Sequence, residues 1–360
     1  MRILLIQPGP SFSTQDVFNG LDYGLQAHGL MVMPYRLDQR ITVAAKWLKA
    51  MWRVKHKRTK DLPKPTTADI LYQASCDALN IALKFRVDAV VLVSATFFHP
   101  DVLVCMKRAG LKIYALFTES PYDEDKELAV AGMVDDGVPV VDGCWTTERL
   151  SMPRFKAVNT NVRYLRHAWH PERHSAYLPV REDVPSHDVV FVGSGFSERI
   201  NFLNAIDWTG IDLGLYGTWK DLGLKKELRP CIQEGNVSND FAAALYRKAK
   251  IGLNLYRHAF AAESLNPRAY ELAACGAFSL SEYRAEVPER FEDLVPTFRT
   301  APEAEALIRT WLDKPIDRAV ASTALPMAVA KDSWVHRATT VLDDLLSMSG
   351  KQAELLEQSA

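Results

Sequence analysis

The chain has 360 residues, with 43 Lys+Arg against 44 Asp+Glu, a formal net charge of -1, and a composition 48% hydrophobic and 24% charged. That balance belongs to a folded globular protein and excludes disorder, collagen and coiled coil. Near-neutrality excludes a surface that is basic all over but leaves room for a local patch, and the length suits two domains of about 150 to 180 residues.

Cys76, Cys105, Cys144, Cys231 and Cys275 are odd in number, widely spaced and mostly set in apolar runs, so they read as reduced core residues. The first apolar run, Met1 to Ile6, is cut at once by Gln7-Pro8-Gly9-Pro10 and is too short for a secretion signal. The longest, around Val87 to Phe98, falls short of the roughly 18 to 20 residues that span a bilayer. The expectation is a cytoplasmic protein, in a bacterial or phage-infected cell, without a transmembrane segment.

In chain order, Met1 to Ile6 predicts a strand, and Val17, Leu21 and Leu25 have the spacing of a helix closed by His28-Gly29. Val87 to Val93 and Lys112 to Phe117 read as buried strands around a helix from Pro100 to Ala109. Strands this apolar are covered on both faces, which implies a parallel sheet with helices outside. A Pro- and His-rich stretch over 167–187 reads as the linker. After it the pattern restarts: strand Asp188 to Val192, the turn Gly193-Ser194-Gly195, a helix from Ser197, and strand Ile211 to Tyr216. A helix from Asp240 to Lys248 and strand Ile251 to Leu255 follow. The expected fold is α/β, with two Rossmann-like, doubly wound domains facing each other across a cleft. The expected boundaries are 1–170, 171–330, and an amphipathic C-terminal helix and tail over 331–360 that needs a surface, the other domain being one choice.

The segment Glu263-Ser264-Leu265-Asn266-Pro267-Arg268-Ala269-Tyr270-Glu271 carries the most chemistry. Asn266 suits an N-cap and Pro267 the first helical position, so a helix starts inside a loop that follows a strand. Its free N–H groups, its dipole and Arg268 make a ready site for a diphosphate. Glu271, one turn on, is placed to accept from a ribose, and Glu263, before the helix, to reach a sugar hydroxyl. The alternative is two unrelated surface carboxylates.

Glu263 and Glu271 also have the E-x7-E spacing of the retaining GT-B glycosyltransferases. The wider string Ala249 to Arg257, Glu263 to Asn266, Arg268, Glu271 and Ala274-Cys275-Gly276, with Asp188 to Ser194 and Glu198-Arg199, resembles their CgeB-type branch over roughly 160–345. The resemblance implies a C-terminal domain that holds a nucleotide-diphosphate sugar, Glu263 on the sugar and Glu271 on the ribose. It further implies Arg199, Arg257 and Arg268 on the diphosphate, Gly193, Ser194, Leu265 and Asn266 lining the donor, and no obligatory metal. Tyr256 stands where the family often has His.

Other motifs are weaker. Gly193-Ser194-Gly195-Phe196-Ser197-Glu198 opens like a dinucleotide fingerprint but has Glu198 at the third glycine position. His167, His170 and His174 have a spacing that metal sites use, but Pro171 interrupts the helix that would align them, and exposed linker imidazoles are expected. Asp123-Glu124-Asp125 reads as a helix start rather than a metal triplet. Glu119, just after a strand of the N-terminal domain, is a candidate to orient or deprotonate an acceptor hydroxyl, with a hydrogen-bonded turn residue as the alternative. The loop Gln7 to Ser11 should border the same cleft.

Residues 41–60 hold Lys46, Lys49, Arg53, Lys55, Lys57, Arg58 and Lys60, no acid, and Trp47 and Trp52. Three readings stay open: a solvated basic helix whose Trp residues pack inward, a nucleic-acid surface, or a membrane or anionic-glycan surface. The expected function is a retaining glycosyltransferase moving a sugar from a nucleotide-diphosphate sugar to a hydroxyl. Hydroxymethylpyrimidine in double-stranded DNA, as in phage-type DNA modification, is the leading acceptor, bound through 46–60 with Trp52, Lys55, Lys57 and Arg58. The alternatives are a cell-envelope, spore or protein glycosyltransferase, or a sugar-nucleotide epimerase or hydrolase on the same fold.

Overall fold

The computed structural model describes residues 1–348 except 8, 10–11, 119–133, 180, 220–222, 234–236 and 258–262. Glu119 and Asp123-Glu124-Asp125 lie outside the described residues, as do Pro8, Pro10 and Ser11 of the first loop. The chain divides into two units, Met1–Leu165 with Val335–Ala360, and Arg166–Trp334.

The first unit holds six parallel strands in the order β2-β1-β3-β4-β5-β6. They are β1 (Arg2–Ile6), β2 (Met31–Tyr35), β3 (Ala89–Val93), β4 (Lys112–Phe117), β5 (Gly143–Thr146) and β6 (Val162–Tyr164). All five residues of β3, Ala-Val-Val-Leu-Val, are buried, as two covered faces require. Leu4, Ile6, Val90, Leu92, Ile113 and Phe117 share one core with Val102, Leu103 and Met106 of the helix Pro100–Arg108. The edge strand β2 contains Pro34, a residue that an edge tolerates because one side of it has no ladder partner to lose.

The second unit holds five parallel strands in the order β11-β10-β9-β7-β8. They are β7 (Val189–Val192), β8 (Leu213–Tyr216), β9 (Ile251–Asn254), β10 (Ser279–Glu282) and β11 (Thr297–Phe298). Val189 pairs with both Leu213 and Ile251, so β7 is central. The chain leaves and re-enters this unit side by side, because Trp169 bridges Ser333 in parallel and accepts from Trp334 N at 3.0 Å.

The helix Trp334–Met348 buries Ala338, Val341 and Leu345. Within the first unit, Trp145 Nε1 donates to its Asp344 at 2.7 Å, and Arg163 also pairs with that carboxylate.

Two expectations are corrected. His167, His170 and His174 are buried rather than exposed. The reason is local: His170 N donates to the His174 ring at 3.2 Å, so an imidazole closes the turn from inside. Burial holds both rings neutral, pulling His170 down to about 4 and His174 to about 3. Cys105 is exposed on its helix, while Cys144 and Cys275 are core residues and all five thiols are free.

Candidate active site

In an open parallel sheet the ligand crevice lies beyond the carboxyl ends of the strands, where successive connections leave in opposite directions. In the second unit this point falls between β7 and β9. Gly193-Ser194-Gly195 follows β7, and Leu255-Tyr256-Arg257 follows β9. The first loop is zipped to the end of β8, since Gly193 N donates to Tyr216 O at 2.8 Å and Gly195 N to Thr218 O at 3.0 Å. Those two N–H groups are spent, so the turn contributes shape more than donors.

What the crevice does present is cationic. Arg199 reaches back from the helix Ser197–Asn204 and joins the two loops, donating from Nη1 to Ser194 O at 3.0 Å and from Nη2 to Leu255 O at 3.2 Å. Arg268 donates to Asn254 Oδ1 at 3.3 Å and to Leu255 O at 3.2 Å. Phe191 lies under both guanidinium groups, at 4.9 Å from Arg268 and 5.3 Å from Arg199. Phe196 does the same for Arg199 at 5.1 Å and Arg257 at 4.5 Å, so two rings support three cations. A Cβ on Gly193 would stand 2.7 Å from Arg268 Nη2 and 3.0 Å from the Phe191 ring, so glycine lets the guanidinium lie against this turn.

The cluster is short of negative charge. Arg199 is buried, and its Nε has no partner among the described residues. Burial, then the charges of Arg268 and Arg257, pull its pKa down to about 9, far below the ordinary guanidinium range. Glu282 and Glu198 act on it only at a distance: Glu282 pairs with Arg284 at 3.3 Å, and Glu198 accepts from Ser197. Among the described residues none of the three guanidinium groups has an ion pair with a carboxylate, an arrangement suited to a multiply charged oxyanion.

The helix Pro267–Ala274 starts beside them as its sequence predicts, with Asn266 Oδ1 accepting from Ala269 N at 3.1 Å. The Asn266 amide also donates to Asn254 Oδ1 at 2.9 Å, tying the cap to the end of β9. Glu271 is half-buried one turn further on and accepts no hydrogen bond at its carboxylate among the described residues. Burial pushes its pKa up to about 7, against the opposing pull of Arg268.

Glu263 is half-buried and fixed through its backbone, its carbonyl accepting from Glu286 N at 2.9 Å. The Glu286 side chain is fully buried, accepts from Leu265 N at 2.9 Å, and pairs with Arg166 Nε at 2.7 Å. Leu265 itself has its side chain in the core and its N–H on Glu286, which leaves it holding Glu263 and Asn266 in place. Glu286 carries no motif, and Phe191, Phe196 and Asn254 lie inside motif strings without a role assigned to them, because the partners of all four come from other parts of the chain.

The basic segment lies on the helix Leu37–His56 of the first unit and the turn after it. Lys55, Lys57 and Arg58 are exposed. Trp52 is engaged: its Nε1 donates to Leu62 O at 3.0 Å and its ring stacks on His56 at 4.5 Å. Trp47 does not pack inward, contrary to the solvated-helix expectation, and is 51% exposed. Among the described residues no group of three His, Cys, Asp or Glu side chains is placed to hold a metal.

Comparison with known proteins follows from this geometry. Anabaena HepE, in complex with UDP and glucose, aligns with a TM-score of 0.65 at 13% identity over 96% of this chain and 100% of its own. A trehalose-6-phosphate synthase, studied for glycosyltransfer with retention, aligns at 0.63 and 10% identity over 96% and 99%. Phage T4 β-glucosyltransferase aligns at 0.54 and 13% identity over 97% and 99%. A β-glucosyltransferase described as a DNA-modifying enzyme gives 0.54 and 13% over 96% and 99%. The fold is GT-B. Residues 199–343 match the family model described as glycosyl transferase-like. No curated protein sequence matches the chain.

Proposed function

We propose that the protein moves a sugar from a nucleotide-diphosphate sugar to an acceptor hydroxyl with retention of configuration. The observation that carries this is the cluster of Arg199, Arg257 and Arg268 at the β7/β9 crevice, none of which has an ion pair with a carboxylate among the described residues. As the bond from the anomeric carbon to the diphosphate breaks, its electron pair stays on the diphosphate, and fixed cations stabilise that charge as it grows. The acceptor oxygen bonds to the anomeric carbon and passes its proton to the departing diphosphate. Glu271 accepts from the ribose hydroxyls and Glu263 from the sugar. Retention is supported by the E-x7-E spacing and by the fold shared with a trehalose-6-phosphate synthase studied for transfer with retention.

The test is turnover of labelled UDP-glucose, the donor seen with HepE, and of other nucleotide sugars, with the anomeric configuration of the product read by NMR. Glu263→Ala and Glu271→Ala should each cut turnover by about 100-fold or more in folded protein. Wild-type rates in both, or an inverted product, would end this reading. An epimerase or hydrolase would instead convert the labelled donor with no acceptor present. Hydroxymethylated DNA is the acceptor that the DNA-modifying neighbour raises, and label passing to hydroxymethylated but not to unmodified duplex is the result that would establish it.

A further inference from the structure

The helix Leu37–His56 has twenty residues, of which only Leu37 and Ala44 are fully buried. Val43, Trp47, Met51 and Val54 are 59%, 51%, 37% and 60% exposed. At about 100° per residue these four fall within roughly 80° of one another and form a single apolar stripe facing solvent. Lys46, Lys49 and Arg53 are exposed along one shoulder of the stripe. Lys55 is exposed on the other, and no acid occurs between 41 and 60.

We propose that this face docks the protein in the plane of a bilayer rich in anionic lipid. Each half of the pattern matches one layer of such a surface: aliphatic groups and an indole enter the boundary with the acyl chains, and the cations meet the headgroups. A duplex phosphate backbone would satisfy the cations but leave Val43, Met51 and Val54 in water. The second aromatic side chain that could stack on a base, Trp52, is already held by Leu62 and His56. No helix among the described residues is long and apolar enough to cross a membrane, so the contact is interfacial. The inference is independent of the donor chemistry, which belongs to the other unit.

The test uses the full chain in sedimentation with vesicles of equal parts phosphatidylglycerol and phosphatidylcholine, and with phosphatidylcholine alone. Two variants accompany it: Val43→Ser with Trp47→Ser, Met51→Ser and Val54→Ser, and Lys46→Glu with Lys49→Glu and Arg53→Glu. All seven positions are exposed, and circular dichroism checks that each variant folds. Wild type should sediment with the anionic vesicles and at least about tenfold more weakly with the neutral ones. Each variant should lose at least about tenfold on the anionic vesicles, while UDP-glucose affinity, read by thermal shift, is unchanged in the serine variant. Failure of the wild type to bind anionic vesicles overturns the proposal, and so does full binding by the serine variant. Duplex DNA binding that the glutamate variant loses, with vesicle binding intact, would overturn it in favour of a nucleic-acid surface.

Discussion

The two sheets reverse their strand order at the same place, between β1 and β3 in one unit and between β7 and β9 in the other. At the β1/β3 end the polar groups answer one another. Ser94 and Thr118 share a hydroxyl hydrogen bond at 3.0 Å, Thr147 Oγ1 donates to Thr118 O at 3.0 Å, and Gln7 accepts from Arg36, which also pairs with Asp38. At the β7/β9 end Arg199 is buried, Arg268 half-buried and Arg257 exposed, and none has an ion pair with a carboxylate among the described residues. Topology places a crevice in both units, but the described residues at the strand ends differ, with polar groups paired to one another in the first unit and an arginine cluster in the second.

The largest expected effect tests that contrast directly. Arg268→Ala should lower kcat/KM for the nucleotide sugar by about 100- to 1,000-fold. Thr118→Val, at the neutral end, should leave donor affinity, measured by calorimetry, within about twofold. Equal losses in the two variants would mean that the difference in charge does not divide the labour.

Glu286→Ala comes next, and acts on stability. Removing a fully buried carboxylate that holds Arg166 and Leu265 N should cost about 3 kcal/mol in urea unfolding. Glu286→Gln keeps an acceptor for Leu265 and should recover part of it. A loss below about 1 kcal/mol for the alanine variant would show that the Glu263 loop is held by other contacts.

Much of this was legible in advance, for identifiable reasons. Central strands such as β3 and β4 are continuous apolar runs between turn residues, and the start of the helix at Pro267 is written in Asn-Pro. Three edge strands and the inner strand β10 carry weaker signals: β2 contains a proline, β6 and β11 have three and two residues, and β10 alternates serine with larger residues. In the crevice, Arg199 and Arg268 followed from family resemblance and position. The Phe191 and Phe196 platform and the Glu286 clamp did not, because each depends on contacts between segments distant in sequence. Polarity suggests exposure for the histidines, while the His170 and His174 rings serve as buried acceptors.

The charge contrast also has a pH signature. Glu271 has its pKa raised to about 7, so between its ordinary value and 7 the native state binds more protons than the unfolded chain. Its contribution is therefore full at pH below about 4.5 and is lost as pH rises through 7. After allowance for its partial exposure, the loss is on the order of 2 kcal/mol. Glu271→Gln should flatten this slope, giving a variant more stable than wild type at pH 8 and similar at pH 4. Parallel unfolding curves across that range would remove burial as the cause of the shift.

The smallest effect separates a cap from a charged site. Thr66 and Asn266 both cap helices, Thr66 through a reciprocal box with Asp69 in the first unit and Asn266 through Ala269 N in the second. Alanine at either should cost about 1 kcal/mol of stability, and Thr66→Ala should do nothing else. Asn266→Asp keeps the cap, since a carboxylate accepts from Ala269 N as well as an amide does. It loses the donation to Asn254 Oδ1 and places a negative charge beside Arg268. Stability should then hold within about 0.5 kcal/mol while donor affinity falls about tenfold, because the new carboxylate competes with the diphosphate for the same cations. Donor affinity equal to wild type in Asn266→Asp would show that the arginine cluster is not where the diphosphate binds, however well the helix is capped.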